Sequence, residues 1–600
     1  MTDQNGSTGG GRERFEQANE FARMAAQSQR IVADFIARQQ KQGVLEPHGP
    51  FNVGQAFMAM TQQMLSDPAR LVQAQMGLWE GYMKLWQHTA SRMMGAEPGE
   101  PIVMPAPDDR RFRAPEWHEN HFYDFIKQSY LLTSNWFLSL VQKNTGGLDE
   151  KSAQKLAFYS RQFVDAVSPT NFVLSNPTVL RETLDSGGQN LVRGLRNMLD
   201  DLERGGGRLD IRMTDPDAYE VGENLALTPG KIIFQNDLMQ LIQYAPAGDS
   251  VYRRPLLVMA PWINKYYVLD LKPENSFIRW AVAEGYTVFA ISWVNPDQRL
   301  SHKGFEDYMR EGPLAALEAI EQACGERQVS AVGYCLGGTL LSATLAYMAA
   351  GGDKRITSAT FLATLVDFED PGELGVFIDE EQLASLEKMM RAKGYLDGRE
   401  MATTFNLLRA NDLIWSFVIN NYLMGKDPFP FDLLYWNSDS TRLPAEMHSF
   451  YLRNMYQDNA LIRPGGIELG GVPIDLGKIN VPTYVLAAHD DHIAPWQACF
   501  KATGLYSGNT RFVLGQSGHI AGVVNPPAAE KYGYWTGKLR EGECAEDWLA
   551  GANREEGSWW RDWQRWQSRR AGKKVAARQP GAGKLDIIED APGSYVKVRT

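Results

Sequence analysis

The sequence predicts an α/β fold, a mostly parallel sheet covered by helices on both faces, preceded by an all-helical region. Three observations predict it. Short apolar and β-branched runs recur after about residue 215, at 256–260, 287–293, 329–335, 359–365, 483–488 and 511–514. Each has strand length and is apolar throughout, as strands buried on both faces are. Helical segments, such as 313–324, lie between several of these runs, and that alternation joins parallel neighbours by crossovers. Before Gly205-Gly206-Gly207 no strand-like run occurs, and apolar residues recur at helical spacing instead.

Bulk properties set the frame. Six hundred residues exceed one ordinary core, so two domains are expected. Hydrophobic content of 44% and charged content of 22% are those of a soluble globular protein. A net charge of -11 argues against general nucleic-acid binding. Cys324, Cys335, Cys499 and Cys544 lack CxxC or zinc spacing, which points to a reducing compartment without a disulfide framework. The first ten residues show no secretory pattern and no apolar run is long enough for a membrane span, so a cytoplasmic protein is expected.

Along the chain, residues 1–12 read as disordered. Phe21, Met24, Ile31 and Phe35 recur at helical spacing, and Phe57, Met60 and Met64 begin a further helix. Asp67-Pro68 is a cap followed by a first-turn proline, starting a helix whose apolar face carries Leu71, Leu78, Tyr82 and Leu85. Proline and glycine make 95–108 a loop. Helical spacing resumes at Phe122-Tyr123-Asp124-Phe125-Ile126. His118 and His121 have the spacing of two metal ligands but no companion, so they read as structural histidines, and no metal is expected. The domains expected are therefore 1–215, helical, and 216–600, α/β. Within the second, 367–478 breaks the strand–helix rhythm and is rich in Phe, Trp, Tyr and Leu. An insertion there would cover the carboxyl ends of the strands as a lid, where ligands bind in open α/β sheets.

The chemistry centres on Val329-Ser330-Ala331-Val332-Gly333-Tyr334-Cys335-Leu336-Gly337-Gly338. A strand, a glycine-flanked tight turn and a helix with a nucleophile at the apex form the nucleophile elbow of the α/β-hydrolase fold, here with Cys for Ser. A phosphate loop is excluded, because no Lys-Ser/Thr follows the glycines. In this fold the acid and the histidine follow the nucleophile in that order. His519, after the strand ending near Leu514, has the place of the base. Asp490 and Asp491, in the preceding post-strand loop, both qualify as the acid. His448 lies in the expected lid, and His492 is an auxiliary candidate. The oxyanion donors should be the backbone N–H of Leu336 and one from the loop after the first clear strand, for which Ile263 is chosen. A thiolate exchanges readily with a thioester, which suits transfer of acyl groups from a thiol carrier, and an aromatic lid that excludes water favours transfer over hydrolysis.

These residues resemble the polyhydroxyalkanoate synthases, specifically class I, over most of the chain. The resemblance rests on Gly333-Tyr334-Cys335-Leu336-Gly337-Gly338, on Pro261-Trp262-Ile263-Asn264-Lys265-Tyr266-Tyr267-Val268-Leu269-Asp270-Leu271, on Asp491-His492-Ile493-Ala494-Pro495-Trp496, and on Gly518-His519-Ile520-Ala521-Gly522-Val523-Val524-Asn525-Pro526-Pro527. Phe234-Gln235-Asn236-Asp237-Leu238, Trp559-Trp560 and Ala591-Pro592-Gly593-Ser594-Tyr595-Val596 also fit. Ala410, where Pro or Ser is familiar, and Asp490, where Glu is familiar, are small departures. The resemblance selects Asp491 as the acid. It implies an acyltransferase that polymerises (R)-3-hydroxyacyl-CoA, with short side chains such as 3-hydroxybutyryl, into polyester and releases CoA through a Cys335 thioester. His519 would activate the thiol, and Asp491 would orient His519 or help to deprotonate the incoming 3-hydroxyl. No cofactor is implied, CoA being a leaving group. A homodimer formed through the lid region and attachment to cytoplasmic polymer granules are implied as well. A Cys-dependent esterase or polyester depolymerase on the same fold is the alternative.

Overall fold

The computed structural model describes residues 68–95, 99–145 and 148–599. The expectations for residues 1–12 and for helices around 21–35 and 57–64 lie outside the described residues. The chain divides into two compact units, one comprising residues up to Asp215 together with Arg409–Pro430, the other Pro216–Leu408 and Phe431–Thr600. Residues 367–478 are thus shared between the two.

The described part of the first unit is helical: α1 (Pro68–Met93), α2 (His121–Lys143), α3 (Glu150–Ala166), α4 (Pro177–Asp185) and α5 (Gln189–Arg204). Side-chain caps start three of them, Asn120 on α2, Asp149 on α3 and Asn176, followed by Pro177, on α4. Of the α1 face read from the sequence, Leu85 is fully buried, Leu78 is half-buried and the Tyr82 hydroxyl donates to the Ser129 carbonyl of α2 at 3.3 Å. His118 is tied to the Phe112 carbonyl at 2.9 Å, a structural role. Against α5 the segment 418–423 packs so closely that a Cβ on Gly194 would lie 1.8 Å from the Tyr422 carbonyl oxygen.

The second unit is built on an eleven-stranded sheet. Its strands, in chain order, are β1 (Gly230–Gln235), β2 (Met239–Tyr244), β3 (Leu256–Met259), β4 (Val288–Trp293), β5 (Val329–Tyr334), β6 (Ile356–Leu362), β7 (Thr483–Ala488), β8 (Thr510–Gly515), β9 (Gly533–Thr536), β10 (Asn553–Glu556) and β11 (Glu589–Asp590). Their spatial order is β10-β9-β8-β7-β6-β5-β3-β4-β2-β1-β11. β3 to β8 pair in parallel, and β1, β2, β9, β10 and β11 join antiparallel at the two edges. The chain moves outward from β3 to β4 and then returns to β5 on the other side of β3, so the strand order reverses there, the place where open sheets form their crevice.

Alternation along each strand builds two cores. Leu257, Met259, Phe289, Ile291, Ala331, Val485 and Phe512 face one layer, and Leu256, Val258, Val288, Ala290, Val332, Leu486 and Val513 face the other. The second layer is closed by α10 (Trp560–Ser568) with Trp560, Trp563 and Trp566, and by α6 (Phe277–Ala283). The first holds α7 (Ala315–Cys324), α8 (Leu336–Ala350) and α9 (Trp496–Leu505). α8 is buried almost all round, and its hydroxyls are paired inside the protein. Thr339 donates to the Leu365 carbonyl at 2.7 Å, Thr344 to Leu340 at 2.7 Å, and Ser342 lies 2.7 Å from the Tyr506 hydroxyl.

Candidate active site

Backbone pairing continues past the strand ends and brings three loops level. The N–H of Cys335 donates to the Leu362 carbonyl at 2.9 Å, that of Ala363 to Leu486 at 2.7 Å, and that of His489 to Gly515 at 2.8 Å. The residue after β5, the loop after β7 and the loop after β8 therefore meet on one edge of the sheet.

Cys335 caps α8 at φ 51° and ψ -122°, a conformation that is sparsely populated for a residue with a side chain. Holding it costs about 1–3 kcal/mol, which the surrounding packing must supply. That packing needs glycine. A Cβ on Gly333 would lie 2.5 Å from the Gly338 α-carbon, and one on Gly337 would lie 2.2 Å from the Met259 carbonyl oxygen. The second contact is between backbones and no rotamer change relieves it. Gly337→Ala is expected to destabilise the second unit by about 2–4 kcal/mol and lower its melting temperature, read by differential scanning calorimetry. The same approach sets the first turn of α8, with Leu336, against the end of β3, where the loop carrying Ile263 begins.

The histidine and the acid are already joined. His519 Nδ1 lies 2.6 Å from Asp491 Oδ2, with the Asp491 side chain fully buried and that of His519 only 8% exposed. The other carboxylate oxygen accepts the N–H groups of Ile493 at 2.8 Å and Ala494 at 2.9 Å. Nδ1 being engaged, Nε2 is the nitrogen left for the thiol. Burial, the largest influence, disfavours the His519 imidazolium. The Asp491 charge, the Cys335 sulfur and hydrogen bonding to both outweigh it, and the pKa stands well above 6.5. Cys335 itself is half-buried, between the two cores.

Pattern alone left Asp490 and Asp491 equivalent, and the structure separates them. Asp490 faces away, 2.7 Å from His489 Nδ1, with its side chain 63% exposed. His492 is half-buried in the same loop, but the ring that Asp491 holds is that of His519. His448 is buried, and burial pulls its pKa down to about 4. Leu336 and Ile263 are both buried at the crevice, Ile263 with its carbonyl accepting the Thr441 N–H at 3.2 Å. Among the described residues no group of three His, Cys, Asp or Glu side chains is placed to hold a metal ion, and no described helix is long and apolar enough to cross a membrane.

Three tyrosines complete the surroundings, Tyr334 of the elbow itself and two, Tyr451 and Tyr456, that the sequence pattern does not single out. Tyr334 stacks on His519 at 5.4 Å between ring centres, and its hydroxyl donates to the His519 carbonyl at 3.2 Å. Tyr451 and Tyr456 lie close enough for Cys335 to add to the effect of burial in raising their pKa values. They pack on each other at 5.6 Å and on Phe368, walling the thiol with aromatic surface.

Sheet order and elbow define an α/β-hydrolase-fold protein with cysteine at the nucleophile position. The family model for the "alpha/beta hydrolase fold" matches residues 265–526, and that for the "Poly-beta-hydroxybutyrate polymerase (PhaC) N-terminus" matches 108–281. The chain is 51% identical over 541 residues to the poly(3-hydroxyalkanoate) polymerase of Methylorubrum extorquens, covering 90% of this chain and 89% of that one. It is 51% identical over 540 residues to the poly(3-hydroxyalkanoate) polymerase subunit PhaC of Rhizobium meliloti, covering 90% and 88%. With the PhaC subunit of Cupriavidus necator it shares 42% over 538 residues, 89% of each chain. The chain belongs to the poly(3-hydroxyalkanoate) polymerase family.

Proposed function

We propose that the chain polymerises (R)-3-hydroxyacyl-CoA, with short acyl groups such as 3-hydroxybutyryl, into polyhydroxyalkanoate and releases CoA. The observation that carries this reading is the Cys335 thiol on a positive-φ elbow beside His519, which Asp491 holds, in a chain of this family. The Cys335 sulfur gives its proton to His519 Nε2 and attacks the thioester carbonyl. The bond from carbon to the CoA sulfur breaks, CoA leaves with that proton, and the acyl group stays on Cys335 as a thioester. A 3-hydroxyl then attacks this second thioester and gives its proton to His519. An ester forms, and Cys335 departs and recovers the proton. Leu336 and Ile263 N–H groups receive the oxyanion at each attack.

The Asp491 carboxylate makes three hydrogen bonds, one to His519 and two to backbone N–H groups, which favours the orienting role over direct deprotonation of the hydroxyl. Tyr451, Tyr456 and Phe368 supply the dry wall that lets a hydroxyl compete with water. The reading extends to a class I enzyme working as a homodimer at a granule surface.

The product separates this reading from an esterase or depolymerase. Incubated with (R)-3-hydroxybutyryl-CoA, the chain is expected to release CoA together with a chloroform-soluble polymer. Free 3-hydroxybutyrate in equal yield with CoA would reject polymerisation and leave a thioesterase.

A further inference from the structure

The loop from Ala260 to Lys265, which carries Ile263, is held by its carbonyls. Ala260 accepts from Trp293 Nε1 at 2.9 Å, Ile263 from the Thr441 N–H at 3.2 Å, and Lys265 from Trp436 Nε1 at 2.7 Å. Asn264 bridges to Ser440, and the Trp262 carbonyl accepts the hydroxyl of Thr441. That last bond differs in kind. The Trp262 carbonyl and the Ile263 N–H belong to one planar trans peptide and point in opposite directions. Whatever holds the oxygen therefore aims the N–H. Thr441 is 1% exposed, so bulk solvent does not reach its hydroxyl.

We propose that Thr441 is a positioning residue of the oxyanion loop, its hydroxyl presetting the direction of the Ile263 N–H. The inference rests on the acyl-thioester reading above. The Thr441 N–H already seats the loop on its neighbour, so the hydroxyl is not needed to place the loop; it orients one peptide plane. The segment that presents Thr441 is in turn locked. Asp439, two residues earlier, lies 2.8 Å from Lys265 Nζ and accepts the Tyr267 hydroxyl at 2.9 Å. The same ammonium donates to the carbonyls of Val596 at 2.7 Å and Val598 at 2.8 Å near the end of the chain. Lys265 and Asp439 side chains are each 2% exposed, and a buried pair of this sort specifies geometry more than it adds stability. Loop, Thr441 segment and terminal residues thus form one fixed frame.

Two chemistries at the same sulfur test this. Acylation by (R)-3-hydroxybutyryl-CoA passes through an oxyanion; alkylation of Cys335 by iodoacetamide displaces iodide from a saturated carbon and forms none. Thr441→Val is expected to slow the single-turnover burst of CoA and kcat about 10- to 100-fold, because a misaimed donor is a donor largely lost. KM stays within about twofold and the alkylation rate is unchanged, since the thiol and His519 are untouched. Thr441→Ser, which keeps the hydroxyl, restores most of the acylation rate. Lys265→Met, which unlocks the frame, is expected to show the same split between acylation and alkylation. A Thr441→Val chain that acylates at the unaltered rate overturns the positioning role, and so does one that loses alkylation in step with acylation. An unaltered chain in which (R)-3-hydroxybutyryl-CoA leaves no acyl group on Cys335, read by mass spectrometry of the quenched chain, would instead sink the acyl-thioester reading, and the positioning role with it.

Discussion

Cys335→Ala is expected to reduce CoA release from (R)-3-hydroxybutyryl-CoA at least about 10³-fold, while alanine at each of the other three cysteines leaves it within a few-fold. The difference lies in surroundings, not in residue type. Cys324 ends α7 with its thiol donating to the Ile320 carbonyl at 3.1 Å, and burial raises its pKa. Cys499 is wholly buried in α9. Burial, reinforced by the charges of Asp491 and Cys335, lifts its thiol well above 9.0, so although near the site it stays protonated. Cys544 is exposed and spends its sulfur as a helix cap for the Asp547 N–H. Cys335 alone combines access, an apex backbone and an imidazole partner. Steady-state CoA release in the four single variants decides the point. Appreciable turnover in Cys335→Ala would reject the nucleophile.

What could be read from the residues follows from what local pattern encodes. The strands that carry the site, β3 to β8, are apolar on both faces and announce themselves as continuous runs. β10, Asn553–Glu556, is exposed at every residue and has no apolar signal, and β11 is only two residues long. β1 and β2 form a hairpin whose glutamines are read more readily as a polar loop. Gln240 and Gln243 are nevertheless fully buried, because the chain segments that receive them lie more than three hundred residues away, as with Ser594 and Arg578. Chain order puts Cys335, an acid and His519 in the right sequence but leaves two adjacent aspartates open; the resemblance selects Asp491, and in the fold it is Asp491 that meets His519. Turning Asp490 toward His489 and Asp491 toward His519 is a matter of loop geometry, which depends on the two backbone N–H groups that fix the Asp491 carboxylate. Thr441 carries no pattern at all and Lys265 shows only as a letter of a motif, their roles hidden for the same reason: their partners come from segments remote in the chain.

Asp491→Asn is expected to lower kcat/KM by about 10³- to 10⁴-fold without unfolding the chain, through a forced change of tautomer. The new amide has one oxygen, and the N–H groups of Ile493 and Ala494 demand it at the Oδ1 position. Its NH₂ must then face His519 Nδ1. That nitrogen becomes an acceptor, the ring proton moves to Nε2, and Nε2 can no longer take a proton from the thiol. The charge is lost too. Burial, which disfavours the imidazolium, then acts without the Asp491 attraction that outweighed it. The limb of the kcat/KM profile that reports His519 therefore moves to lower pH than in the unaltered chain, where it lies above the ordinary histidine range. The stage at which the variant fails discriminates between the two roles of Asp491. If the carboxylate orients His519, acylation itself is crippled and the first CoA burst slows as much as steady turnover. If Asp491 took the proton of the incoming 3-hydroxyl directly, the burst would keep its unaltered rate and the reaction would stall only at chain elongation. Rapid-quench measurement of the burst in Asp491→Asn reads that difference, and the hydrogen bonds already made by both carboxylate oxygens favour the first outcome.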